Sequence, residues 1–76
     1  MNYFIVNEKG KALSSFYPND LSGRSQLSFR NDNAMIFDTI EGAESHINYI
    51  QSSASGRTKS QALRLRVSTH PYNWTN

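Results

Sequence analysis

The sequence predicts a small α+β fold: an antiparallel or mixed sheet of roughly three to five strands with one helix packed on one face. Three observations lead there. Leu63-Arg64-Leu65-Arg66-Val67-Ser68 alternates apolar and polar side chains at the period of a half-buried strand. Ile40, Ala43, Ile47 and Ile50 fall at i, i+3, i+7 and i+10, which aligns them along one side of a helix. Tyr3-Phe4-Ile5-Val6 is a β-branched and aromatic run of strand length.

Taken in order, the first strand is followed by Glu8-Lys9-Gly10-Lys11, where Gly10 supplies the positive φ a hairpin turn requires. Ala12-Leu13-Ser14-Ser15-Phe16-Tyr17 returns as a second strand. Pro18-Asn19-Asp20 and Ser22-Gly23 are breaker clusters that mark a surface loop. Gln26-Leu27-Ser28-Phe29-Arg30 alternates again, with Leu27 and Phe29 on one face of a third strand. Asn31-Asp32-Asn33 reads as a turn whose side chains bond their own backbone, and Ala34-Met35-Ile36-Phe37 as a short strand or an extended lead into the helix.

Asp38-Thr39-Ile40-Glu41 reads as a capping box, with the Asp38 carboxylate accepting from first-turn amides and Glu41 reaching back. The helix should end between Gln51 and Ala54. Ser52 to Ser60, rich in Ser, Gly and Lys, reads as a loop, and the strand from Leu63 to Ser68 closes the sheet. Its apolar face should lie under the helix and its arginine face in water. The expected order is therefore β-β-β(β)-α-β, in one domain over 1–76 with 69–76 as a C-terminal tail.

A chain of 76 residues closes one core, hides only about 60% of its unfolded surface, and so has modest stability. Without cysteine it has neither a disulfide framework nor a thiolate metal site. The N-terminal residues lack a basic segment ahead of a long apolar run, and no stretch approaches the ~20 apolar residues of a membrane span. A cytoplasmic protein with no membrane partner is the expectation. Asn73-Trp74-Thr75 matches the glycosylation sequon by chance on that reading.

Catalytic groups are scarce. His46 sits between Ser45 and Ile47 flanking the helix stripe and reads as a boundary histidine, and His70 precedes Pro71 and reads as a surface residue, not a catalytic base. Glu41 and Glu44 are accounted for by capping and helix solvation, and the four glycines form no phosphate loop. We therefore expect no enzyme activity, no cofactor and no metal.

Two surfaces are the candidates for binding. All six acids lie in residues 1–56 beside four basic residues, whereas residues 57–76 hold Arg57, Lys59, Arg64 and Arg66 with no acid. On a strand, Arg64 and Arg66 project to the same side, where they could grip neighbouring phosphates or a carboxylate cluster. The second surface is the tail, where Tyr72 and Trp74 are residue types that dominate interface energies. An exposed edge strand could also pair with a copy of itself to give a homodimer.

The opening Tyr3-Phe4-Ile5-Val6-Asn7-Glu8-Lys9-Gly10-Lys11-Ala12-Leu13, the stretch from Ala34 to Glu44 with Ile47, and the closing Leu63 to Val67 resemble short bacteriophage and prophage accessory proteins of strand-helix-strand type. Anti-CRISPR inhibitors are among these. The resemblance implies a phage-encoded protein that binds a host protein or ribonucleoprotein complex stoichiometrically in the host cytoplasm. Members that mimic DNA are strongly acidic, and this chain, with a net charge of +2, is not. The expected function is thus a non-catalytic inhibitor or adaptor binding a host complex, such as a CRISPR-type defence assembly, through Arg57, Lys59, Arg64, Arg66, Tyr72 and Trp74. The alternative is weak nucleic-acid binding through the four basic residues, with a salt slope of about −3 to −4 on duplex DNA.

Overall fold

The computed structural model describes residues 2–19 and 23–69. The elements are β1 (Phe4–Val6), β2 (Leu13–Tyr17), β3 (Gln26–Phe29), a single 3-10 turn (Asn31–Asn33), α1 (Ile40–Ser53), α2 (Gly56–Ala62) and β4 (Arg66–Ser68). This is a small α+β domain, as the sequence predicts, but its sheet is divided and it has a second helix. β1 pairs antiparallel with β4, and β2 antiparallel with β3. A bridge between Val6 and Ala12 joins the two ladders, and a bridge between Tyr3 and Phe37 ties the segment before α1 to β1. Ala34–Phe37 is thus an extended lead and not a strand.

The β1–β2 turn forms for local reasons. The Asn7 side-chain carbonyl accepts from the amides of Lys9 (2.9 Å) and Lys11 (3.0 Å), and Gly10 takes φ 82°. An L-residue with a Cβ pays a steric penalty there that glycine escapes. Asn31, by contrast, does not bond its own turn. Its side-chain oxygen accepts from the Ala12 amide at 2.8 Å and fastens the turn after β3 to the start of β2.

α1 begins one residue later than the capping-box reading places it. Thr39 is the cap, and its hydroxyl oxygen accepts from the Gly42 amide at 3.0 Å. The third helical position is then Gly42, which has no side chain to reach back, so no capping box closes. Glu41 still sits in the first turn, where the helix dipole favours a carboxylate. Of the apolar stripe, Ala43, Ile47 and Ile50 are buried, whereas Ile40 is exposed on the first turn.

The core gathers Ile5, Leu13, Ala43, Ile47, Ile50, Ala54, Ala62 and Leu65, with Tyr3, Phe16, Leu27, Phe29, Met35, Phe37 and Val67 packed at its margin. Tyr17 stays outside it and is exposed. β1 departs from the picture of a sheet with one wet face, because Phe4, Ile5 and Val6 are all buried. Since successive strand residues point to opposite faces, β1 is covered on both. Its uninterrupted apolar run is the pattern of such a strand.

The largest correction concerns residues 52–65. The segment expected as a loop contains α2, and the alternating stretch is not a strand throughout. Leu63 ends α2 in helical geometry (φ −65°, ψ −15°) and is 63% exposed, whereas Leu65 is 8% exposed in the core. Only Arg66–Ser68 joins the sheet, opposite Val6, Ile5 and Phe4. Alternation fixes a face only once the backbone is extended, and here it begins while the chain is still helical.

Candidate functional site

α2 is seven residues long, shorter than an isolated helix can sustain in water, so tertiary contacts must hold it. Both ends are clamped. At its start, the buried Ser25 hydroxyl oxygen accepts from the Ser55 amide at 3.0 Å, and the Thr58 hydroxyl donates to the Ser25 carbonyl at 2.8 Å. At its end, the Gln51 side-chain amide donates to the Ala62 carbonyl at 3.0 Å, and Ala62 itself is fully buried. The chain enters at Gly56 with φ 57°, a left-handed conformation that disfavours L-residues with a side chain.

Fixing α2 fixes a face. Arg57, Ser60, Gln61 and Arg64 recur at i, i+3, i+4 and i+7, and all four line one open groove of about 490 Å³. Asn7, Glu8 and Lys9 from the β1–β2 turn and Phe29 of β3 complete its lining. The lining thus holds three cations, one carboxylate and one half-buried aromatic ring. Arg64 Nη1 donates to both carboxylate oxygens of Glu8, at 3.1 and 3.3 Å. Both side chains are more than half exposed, so the pair is worth about 0.2–1 kcal/mol and exchanges readily for another partner.

A second recess lies around the start of α2, lined by Arg24, Ser25, Gln26, Ser55, Gly56, Arg57 and Thr58. Arg57 therefore borders both. Lys59 stands roughly 200° around the helix from Arg57 and lines neither. Arg66 is exposed on β4, separated from Arg64 by the turn that ends α2. The structure thus brings Arg57 and Arg64 together and leaves Lys59 and Arg66 outside, in place of a strand face carrying both Arg64 and Arg66. Tyr72 and Trp74 lie outside the described residues.

Sequence reasoning did not identify Glu8, Lys9, Phe29 or Arg24 as neighbours of these arginines. Glu8 and Arg64 are 56 positions apart, and no local pattern links them. The i, i+3, i+4, i+7 spacing of 57, 60, 61 and 64 was the available signal, masked by poor helix formers in the segment.

Elsewhere, a row of rings runs along the flank of α1: Phe37, His46, Tyr49 and Phe16, with centroids 5.5, 5.9 and 5.7 Å apart in turn. His46 Nε2 is shielded and has no hydrogen-bond partner among the described residues. Burial holds its pKa below the usual 6.5, since the imidazolium would lose hydration against Phe37 and Tyr49. Among the described residues there is no group of three or more His, Asp or Glu placed to hold a metal, and no helix long and apolar enough to cross a membrane. Comparison with protein-family models, with curated proteins and with solved structures returned no match.

Proposed function

We propose that this chain is a non-catalytic binding protein that docks on a host protein or ribonucleoprotein complex through the groove between the β1–β2 turn and α2. The carrying observation is that groove, whose lining brings together Arg57 of α2, Arg64 of the turn after it, Lys9 and the ring of Phe29. Arginine and aromatic side chains beside one another are the residue types of protein interfaces. The resemblance to phage accessory proteins makes the partner a host defence assembly of CRISPR type and the protein an inhibitor or adaptor in the host cytoplasm.

Expression in a bacterium with active CRISPR immunity tests this. Phage plating should rise with the wild-type chain and fall back with an Arg57→Ala/Arg64→Ala variant of unchanged circular dichroism. Plating that stays at the immune level with wild type, across several defence types, would remove the reading.

A second reading has one observation in its favour. Arg57 borders both recesses, with Arg24 on the far side, so a strand of nucleic acid could follow Arg24, Arg57 and Arg64 in sequence. About three phosphate contacts give a salt slope near −2 on single strands, measurable by titration at several salt concentrations.

A further inference from the structure

We infer that the groove takes an acidic peptide segment bearing an apolar side chain, and that Glu8 occupies the carboxylate position on Arg64 until the peptide displaces it. The inference rests on the protein-binding reading and names the chemistry of the partner segment.

Arg64 already holds a carboxylate. One guanidinium nitrogen donates to both oxygens of the Glu8 carboxylate, so a carboxylate seat exists and is filled from within the chain. Glu8 reaches it from a turn fixed by the two Asn7 hydrogen bonds, and Arg64 reaches it from the turn that follows α2, whose end Gln51 clamps. Both partners of the pair are largely exposed, at 64% and 62% of their side-chain surface. An ion pair in that setting is screened and weak, and it yields to a competing carboxylate that brings additional contacts.

The additional contacts are present. Arg57 and Lys9 line the same groove, with no acid other than Glu8 among the described residues of the lining, so the displaced state leaves three cations facing the ligand. Phe29 offers an apolar surface that a bare phosphate backbone would not use, but that a leucine or phenylalanine side chain beside an acidic residue would cover. A peptide has charge at intervals and can place an apolar group next to the carboxylate that replaces Glu8. The carboxylate already seated on Arg64 points to a peptide acid, and a single strand stacking a base on Phe29 is the competing outcome that the oligothymidylate comparison reads.

Glu8 is then a built-in competitor, and its removal should strengthen binding. The probe is a fluorescein-labelled glutamate-rich peptide containing one leucine, titrated by fluorescence anisotropy against the full chain. Glu8→Gln should bind it about 1.4- to five-fold more tightly than wild type, the range set by an exposed ion pair. Glu8→Lys should extend the gain. Glu44→Gln, which removes an exposed charge on α1 outside the groove, should give a smaller change and so controls for net charge. Replacing the peptide's leucine by serine should weaken binding to every variant.

Equal gains from Glu8→Gln and Glu44→Gln would overturn the inference, as would a Glu8→Gln affinity at or below that of wild type. So would absence of peptide binding by both, or a short oligothymidylate bound more tightly than the peptide by wild type. Failure of the docking reading shows separately, in phage plating that does not respond to the wild-type chain.

Discussion

Leu63 and Leu65 provide the sharpest test of the α2–β4 junction, because alternation puts both in the core and the structure separates them. Leu65 is 8% exposed within a cluster that includes Ile5, Ile47, Ile50 and Ala62. Truncating a leucine so placed costs about 2–5 kcal/mol, from lost apolar burial and the cavity left behind. Domains have about 0.05–0.15 kcal/mol of stability per residue, so 76 residues amount to roughly 4–11 kcal/mol. Leu65→Ala should therefore remove a large share of the total. With an m-value of about 1 kcal/mol/M for a small domain, its urea midpoint should fall by about 2 M or more. Leu63 is 63% exposed at the end of α2, and Leu63→Ala should stay within about 0.5 kcal/mol of wild type. Urea unfolding followed by circular dichroism measures both. Similar large losses for the two variants would mean that the strand starts at residue 63 and would refute the helical ending.

Three further perturbations probe other elements. Thr39→Ala should cost about 1 kcal/mol by removing the α1 cap, whereas Asp38→Ala should cost about 0.3–0.5 kcal/mol, a reversal of which would restore Asp38 as the cap. Gly56→Ala should destabilise by about 1–2 kcal/mol through its positive φ, with open space around the added methyl, and a neutral result would contradict the entry geometry of α2. His46 has a folded pKa lowered by burial, so stability should be full above pH 6.5. As pH falls below 6.5 the unfolded chain takes up a proton that the folded chain resists, and stability declines until the lowered folded pKa is passed. Urea midpoints against pH should show that decline in wild type and a shallower one in His46→Gln; identical profiles would exclude His46 as the source.

Much of the fold was legible because local chemistry and burial agree there. Gly10 and Asn7 define a turn without outside help, and Ala43, Ile47 and Ile50 keep helical period because they face one core. Residues 52–62 were misread for the opposite reason. Their local preference is loop-like, and what makes them helical is distant: Ser25 at one end, Gln51 at the other, and burial of Ala62. The division of the sheet has a similar origin, since among the described residues a lone Val6–Ala12 bridge joins its halves, and pattern gives no measure of pairing. For the site, strand period pairs Arg64 with Arg66, whereas in the structure Arg57 and Arg64 line one groove and Arg66 lies outside it. Helical period groups Arg57 with Arg64, and the carboxylate and ring that complete the groove come from the far side of the chain's turns.

α2 turns Arg57 to the groove that Arg64 also lines, while Lys59 lies outside that lining. Anisotropy titrations of the labelled acidic peptide with Arg57→Ala and Lys59→Ala compare two single-charge losses two residues apart. Arg57→Ala should weaken binding roughly ten-fold, as expected for a lost charged hydrogen bond, with Lys59→Ala close to wild type. Equal weakening by the two would show that net basicity, not a helix face, governs the surface, and the proposed groove would be abandoned.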